Sequence, residues 1–213
     1  MELLTWASDA PQSDETRDLG DVISIFVPMS VSGLAPHRRA ESMTLVPMGD
    51  IVYCDCTWGP HQLSRPAQGV GETGEEYYAL VAVHSGREIV CIDGERHVLA
   101  PGDVALWNCQ LATQAEIPDH LHKSAILMPA RILRQLSLGT GAQQALERFT
   151  DAPAAPLLRQ MLGQIKQQGS MSHLPYRRLR NALVELFLAT VESGREASDR
   201  GALAVAGHDV GVG

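Results

Sequence analysis

The sequence predicts an antiparallel β-sandwich or barrel that hands over to helices at its C-terminal end. Two observations carry this prediction. Between Tyr77 and Pro129, short apolar runs are separated by tight-turn signals, with no long helical pattern between them. After Pro129 the apolar spacing changes from every second residue to every third or fourth, the period of a helix with one covered face.

Taken in order, Met1 to about Asp18 is polar and acidic after a short apolar opening, and residues 1–20 read as a flexible lead-in. Asp21 to Met29, DVISIFVPM, reads as a first strand. Met43 to Trp58 suggests a hairpin about Met48-Gly49-Asp50. The Gly- and Pro-rich stretch that follows is largely loop, with a short strand near Leu63 to Arg65. YYALVAVHSG and REIVCI lead to Asp93-Gly94, a strong hairpin signal because both central positions of the favoured turn need positive φ. ERHVLA then meets Pro101-Gly102-Asp103, where proline offers no ladder donor and glycine relaxes the backbone. VALWN, LATQAEI and KSAILMP complete the strands. Beyond Pro129, ARILRQLSL and GTGAQQALERFT read as short helices. Leu157, Leu158, Met161, Leu162 and Ile165 form the stripe of a longer one. Leu179, Leu183, Leu186, Phe187 and Val191 form that of another, with Pro175 in its first turn and Gly194 at its end. The remainder reads as a frayed tail.

The chain has 213 residues, enough for one domain with a helical annex and a core that needs no staples. Seventeen Lys and Arg against twenty-five Asp and Glu give a formal charge of −8, a poor footprint for nucleic acid. The four cysteines are read as reduced and mostly buried; Cys54 and Cys56 share one face of a strand but have no CxxC partner. No run of eighteen apolar residues predicts a membrane span, and the N-terminus lacks an export pattern, so a cytoplasmic location is expected.

The run YYALVAVHSGREIVCIDGERHVLAPGDVALWN, with Gly86, Asp93-Gly94, Leu99 and Pro101-Gly102-Asp103, resembles the sensor domain of AraC-type transcriptional regulators. Arg65 and the segment ILMPARIL, Ile126 to Leu133, resemble flanking parts of that family's framework. The resemblance spans about Asp21 to Val191. It implies a cupin-like (double-stranded β-helix) barrel over 21–130 that binds a small organic effector, a helical dimerisation segment over 131–195, and a frayed tail over 196–213. It further implies a homodimer that contacts DNA only through a C-terminal helix-turn-helix part, which this sequence does not contain. No cofactor is implied.

Within such a frame, Trp107, Tyr78, Tyr53 and Trp58 are candidate ligand-binding rings, and Arg65 is a candidate fork for a carboxylate. Their bland reading is core filling and a structural ion pair. Leu179, Leu183, Leu186 and Phe187 are the candidate dimer face. Two other functions compete with the sensor. A metal-dependent cupin enzyme, an oxygenase or isomerase, would need His120 and His122 to converge with a third ligand inside the barrel. A purely structural pairing module would have a filled core. Asp103 is assigned to capping its turn, and no nucleophile elbow or phosphate-binding glycine loop is found.

Overall fold

A computed structural model describes residues 4–7, 30–32, 42–65, 76–135, 145–165 and 173–208. Among these are twelve strands and three helices. The strands are β1 Leu4–Ala7, β2 Ser30–Ser32, β3 Ser42–Met48, β4 Ile51–Trp58, β5 His61–Arg65, β6 Tyr77–Gly86, β7 Glu88–Ile92, β8 Glu95–Leu99, β9 Val104–Asn108, β10 Thr113–Ile117, β11 Leu121–Pro129 and β12 Leu146–Arg148. The helices are α1 Ala130–Gln135, α2 Ala155–Ile165 and α3 His173–His208. The strand expected over Asp21 to Met29 lies outside the described residues.

The strands form a seven-stranded sheet, β1-β3-β4-β11-β6-β9-β12, and a five-stranded sheet, β2-β5-β10-β7-β8. Every described pairing is antiparallel and lies within one sheet. Neither sheet closes on itself and no described ladder joins them, so the expected closed barrel is corrected to two open sheets with C-terminal helices. The reason is visible in β6. Ala79, Val81 and Val83 face the second sheet, among Leu63, Val90, Leu99 and Ile117. Leu80 and Ala82 face the other way, among Leu158, Leu162, Leu183 and Phe187 of the helices. A sheet with apolar residues on both faces needs a layer on each side, and the helices supply the second.

The turn signals act as predicted. Asp93 and Gly94 have φ of 49° and 85° and join β7 to β8. Asp103 caps its turn: its Oδ2 accepts from the Ala100 amide at 2.8 Å and its Oδ1 from the Thr150 hydroxyl at 3.0 Å. Cys54, Cys56, Cys91 and Cys109 are all outside any disulfide.

Two C-terminal expectations change. Part of GTGAQQALERFT, expected to be helical, instead contributes β12, which pairs with β9 at the sheet edge. The expected stop at Gly194 and the frayed tail after it give way to a helix that runs to His208. Gly194 is a packing position: a Cβ there would lie 2.4 Å from Cδ1 of the buried Phe149 ring. Nearby, Arg195 grips Glu147 of β12 through Nε and Nη2 at 3.0 and 2.9 Å. In an open helix, glycine to alanine gains about 1 kcal/mol. At 194 the overpacking cost of about 1–3 kcal/mol should exceed that gain. Gly194→Ala is therefore expected to lower the urea midpoint, and a higher midpoint would contradict this packing.

Candidate functional site

The space between the two sheets holds a cavity of about 90 Å³. Strand phase decides which side chains reach it. Cys54, Cys56 and Trp58 point inward from β4, and Lys123 and Ala125 from β11. Trp107 of β9 pairs with Ala79 of β6, and Arg65 of β5 pairs with Thr113. The small side chains Ala79 and Ala125 leave the hollow that the two indoles flank.

Of the five sequence candidates for ligand contact, Trp107, Trp58 and Arg65 line this space. Tyr53 and Tyr78 do not. Each is one residue out of phase with an inward neighbour and packs with the helix-covered face. The Tyr53 hydroxyl donates to the Leu162 carbonyl of α2 at 2.9 Å, and burial, with Asp55 beside it, pushes its pKa well up.

Lys123 and Glu88 form a cross-sheet ion pair that sequence reasoning missed. Nζ lies 2.7 Å from both carboxylate oxygens, and Glu88 is fully buried. The ammonium also sits 4.9 Å from the Trp58 ring centroid and 5.6 Å from that of Trp107. Burial is the largest influence and works to lower the Lys123 pKa, but Glu88, Cys56 and Cys54 together outweigh it and the net shift is upward. A signal was present: Glu88 is in phase with Val90 and Ile92, and Lys123 with Ala125 and Leu127. A charge in step with an inward apolar row needs a buried partner.

Arg65 has no such carboxylate among the described residues. It is 2% exposed, and its Nη1 donates to the Cys109 carbonyl. Its Nε and Nη2, and the indole nitrogens of Trp58 and Trp107, are buried with no partner among the described residues. Desolvation lowers the Arg65 pKa. The thiols of Cys109 and Cys56 are poor nucleophiles. Burial pushes Cys109 up to about 12, and the hydrogen bond with Cys54, at an Sγ–Sγ distance of 3.3 Å, raises Cys56.

A second polar cluster lies on the helix side of the large sheet, where a register shift between His122 and Lys123 interrupts the β6–β11 ladder. Asp55 accepts from the Ser124 hydroxyl at 2.9 Å and from His122 Nε2 at 3.1 Å. Because the one Ser124 proton goes to Asp55, His84 Nε2 must donate to the Ser124 oxygen, at 2.8 Å. His84 therefore cannot act as a base toward Ser124, whose side chain is fully buried. The arrangement is structural, not a nucleophile with its base.

The metal reading does not fit these residues. His122 is bonded to Asp55, while His120 lies just before β11 and pairs its Nε2 with the Ser85 hydroxyl at 3.1 Å. Neither lines the inter-sheet cavity. Among the described residues no group of three or more His, Cys, Asp or Glu is placed to hold a metal ion.

His84 has its pKa lowered by burial and then by His122, and His61 has its lowered by burial. A histidine whose folded pKa is depressed favours folding above its unfolded value of about 6.5 and loses that contribution as pH falls. The urea midpoint is expected to drop between pH 7.5 and 5.0, and to drop less in His84→Gln. An equal drop in the variant would contradict the His84 assignment.

The dimer candidates divide similarly. Leu183 and Phe187 have no exposed surface and are consumed by the chain's own core; Leu179 and Leu186 are half-buried. Arg180 of α3 grips Asp50 of the β3–β4 turn, with Nη2 at 2.7 and 3.0 Å and Nε at 2.9 Å. No helix among the described residues is long and apolar enough to cross a membrane.

Comparison with known proteins gives three findings. Residues 21–191 match the family model described as the AraC-binding-like domain. No curated protein matches the chain. Among solved structures, the AraC-like transcriptional activator CuxR superposes with a TM-score of 0.68 at 13% identity, over 90% of this chain and 70% of that one. The EutQ protein of Clostridium difficile gives 0.31 at 15% identity, over 40% of this chain and 56% of that one. The Cupin 2 domain of an XRE family transcriptional regulator from Enterobacter cloacae gives 0.31 at 16%, over 47% and 95%.

Proposed function

The chain belongs to the AraC-binding-like domain family, and from that premise we propose that it senses a small organic effector and pairs two subunits within an AraC-type transcriptional regulator. Residues 21–130 would hold the effector, residues 131–195 would contribute the dimer contact, and DNA would be reached only through separate helix-turn-helix units. The observation that carries the reading is the largely apolar cavity between the sheets, flanked by Trp58 and Trp107 and bordered by polar groups without partners among the described residues. Buried donors that lack acceptors cost about 1–3 kcal/mol each, a cost a ligand can remove.

The mechanism is a shift between populations. Effector between the sheets favours one arrangement of sheets and helices, and so one placement of any attached DNA-binding units. Arg180 and Arg195 fasten α3 to the large sheet at Asp50 and Glu147, and this supports α3 as the transmitting element.

The pairing face then lies beside the buried stripe. Leu179, Ala182, Leu186 and Ala189 recur at the spacing of a coiled-coil seam, and all are half-buried or exposed in the single chain. Sedimentation is expected to give the mass of two chains for the wild type and of one chain for Leu186→Asp, with unchanged circular dichroism. A wild-type monomer would remove the dimer from the proposal. For sensing, the test is thermal melting with a panel of small acids, amides, alcohols and amines. A ligand at 100 times its Kd adds about 2.7 kcal/mol to stability, a rise of roughly 5–10 °C for a chain this long. If no member of the panel gives a saturable rise, the sensing reading fails.

A further inference from the structure

We propose that the inter-sheet cavity takes a short-chain organic monocarboxylate, its carboxylate held by Arg65 and its aliphatic body lying against Ala79, Val81 and Ala125. This rests on the reading of the cavity as the effector site and adds the chemical class of the effector.

The first argument is charge. Among the described residues two cations and one carboxylate meet between the sheets. Lys123 and Glu88 satisfy each other, with two contacts of 2.7 Å. Among the described residues one positive charge is left over, on a guanidinium that is 2% exposed and donates to a backbone carbonyl. A buried charge in this state is costly, and an anion is its natural complement.

The second argument is geometry. The two guanidinium nitrogens without partners among the described residues are Nε and Nη2. Their N–H bonds form the side-on fork of arginine, which matches the two oxygens of a carboxylate. The third argument is the sign of the remaining hydrogen-bonding capacity. The indole nitrogens of Trp58 and Trp107 also lack partners among the described residues, and they can only donate. A few idle donors beside an otherwise apolar hollow select a ligand that joins acceptors to an apolar body. An amine would add charge of the wrong sign, and a sugar would bring a donor with every acceptor.

The fourth argument is size. At about 90 Å³ the cavity is smaller than the engineered cavity of about 150 Å³ that holds benzene, so the apolar body is limited to a few carbons.

The experiment compares butyrate, butyramide, 1-butanol and inorganic phosphate at matched ionic strength, read by tryptophan fluorescence and melting temperature of the 213-residue chain. Butyrate is expected to bind at least about ten-fold more tightly than butyramide or butanol, the difference a charge-assisted fork supplies. Phosphate is expected to give no saturable change. Arg65→Met should weaken butyrate at least about ten-fold and leave the unliganded melting temperature equal or higher, because replacing a buried unpaired charge by an apolar side chain of similar length is not destabilising. If butyramide or butanol matches butyrate, or if phosphate does, the carboxylate proposal is overturned while the cavity remains an effector site. If none of the four binds but another class in the wider panel does, the proposal is again overturned alone. If the whole panel fails, the sensing reading falls with it. Should Arg65→Met not fold, the ratio of butyrate to butyramide on the wild type decides the matter.

Discussion

Glu88→Gln is expected to lower the unfolding free energy by about 3–5 kcal/mol, the usual cost of stripping one partner from a buried ion pair. Glu88 reaches from β7 across the sandwich to Lys123 of β11, and neither side chain is open to water beyond the 8% of Lys123. Glutamine keeps the shape but removes the charge, so the ammonium is left desolvated between two indole rings. The double variant Glu88→Leu with Lys123→Met should recover most of the loss, since apolar side chains of similar size need no compensation in this place. Urea unfolding of the three proteins checks this. A single variant within about 1 kcal/mol of wild type would mean that the pair is not desolvated as the structure has it. The pH dependence has a definite sign. The folded-state pKa of Lys123 is raised, so its contribution is fully present below the unfolded value of about 10.5 and is lost as pH climbs through the folded one.

Gly86→Ala should be comparably severe, by about 2–5 kcal/mol, for a different reason. Gly86 has φ of 76°, where a side chain costs about 1–2 kcal/mol. A Cβ there would also lie 1.7 Å from the His120 carbonyl oxygen and 2.9 Å from the Leu121 Cα. Both are backbone atoms, so β11 must move away from β6 at the end of the ladder where Leu121 pairs with Gly86, at a cost of about 1–3 kcal/mol more. Gly94 separates the two effects. It has φ of 85° but nothing within 4 Å of its would-be Cβ, so Gly94→Ala should cost only the conformational part, about 1–2 kcal/mol. Equal losses at the two positions, by thermal or urea unfolding, would show that the close approach at Gly86 is not a constraint.

These examples also explain what was legible in the sequence. Turn chemistry is local, and so Asp93-Gly94, Pro101-Gly102-Asp103 and the Met48-Gly49-Asp50 hairpin are all found where the residues put them. Closure is not local. Alternation along Tyr77 to His84 defines two apolar faces but not what covers each, and a barrel and a helix-backed open sheet both satisfy it. The same limit governs the site. Trp58, Trp107 and Arg65 share a phase that points between the sheets, while Tyr53 and Tyr78 are one residue out of step and turn toward the helices. Ring chemistry made all four aromatics plausible; only knowledge of which layer lies on which side divides them. The stripe of α3 likewise announced burial without naming its partner, and Leu183 and Phe187 turned out to face their own sheet. Gly194 read as a helix stop because glycine usually is one, whereas here the missing side chain makes room for Phe149. Glu88 and Lys123 were the signal left unused: charged residues in phase with inward apolar rows.

The central claim is that the space between the sheets receives a guest. A crystal structure of the protein soaked with butyrate tests it most directly. The account predicts density for the molecule between Trp58 and Trp107, with both carboxylate oxygens within hydrogen-bonding distance of Arg65 Nε and Nη2. Side chains collapsed into that space, or butyrate bound elsewhere with the space between the indoles empty, would contradict it.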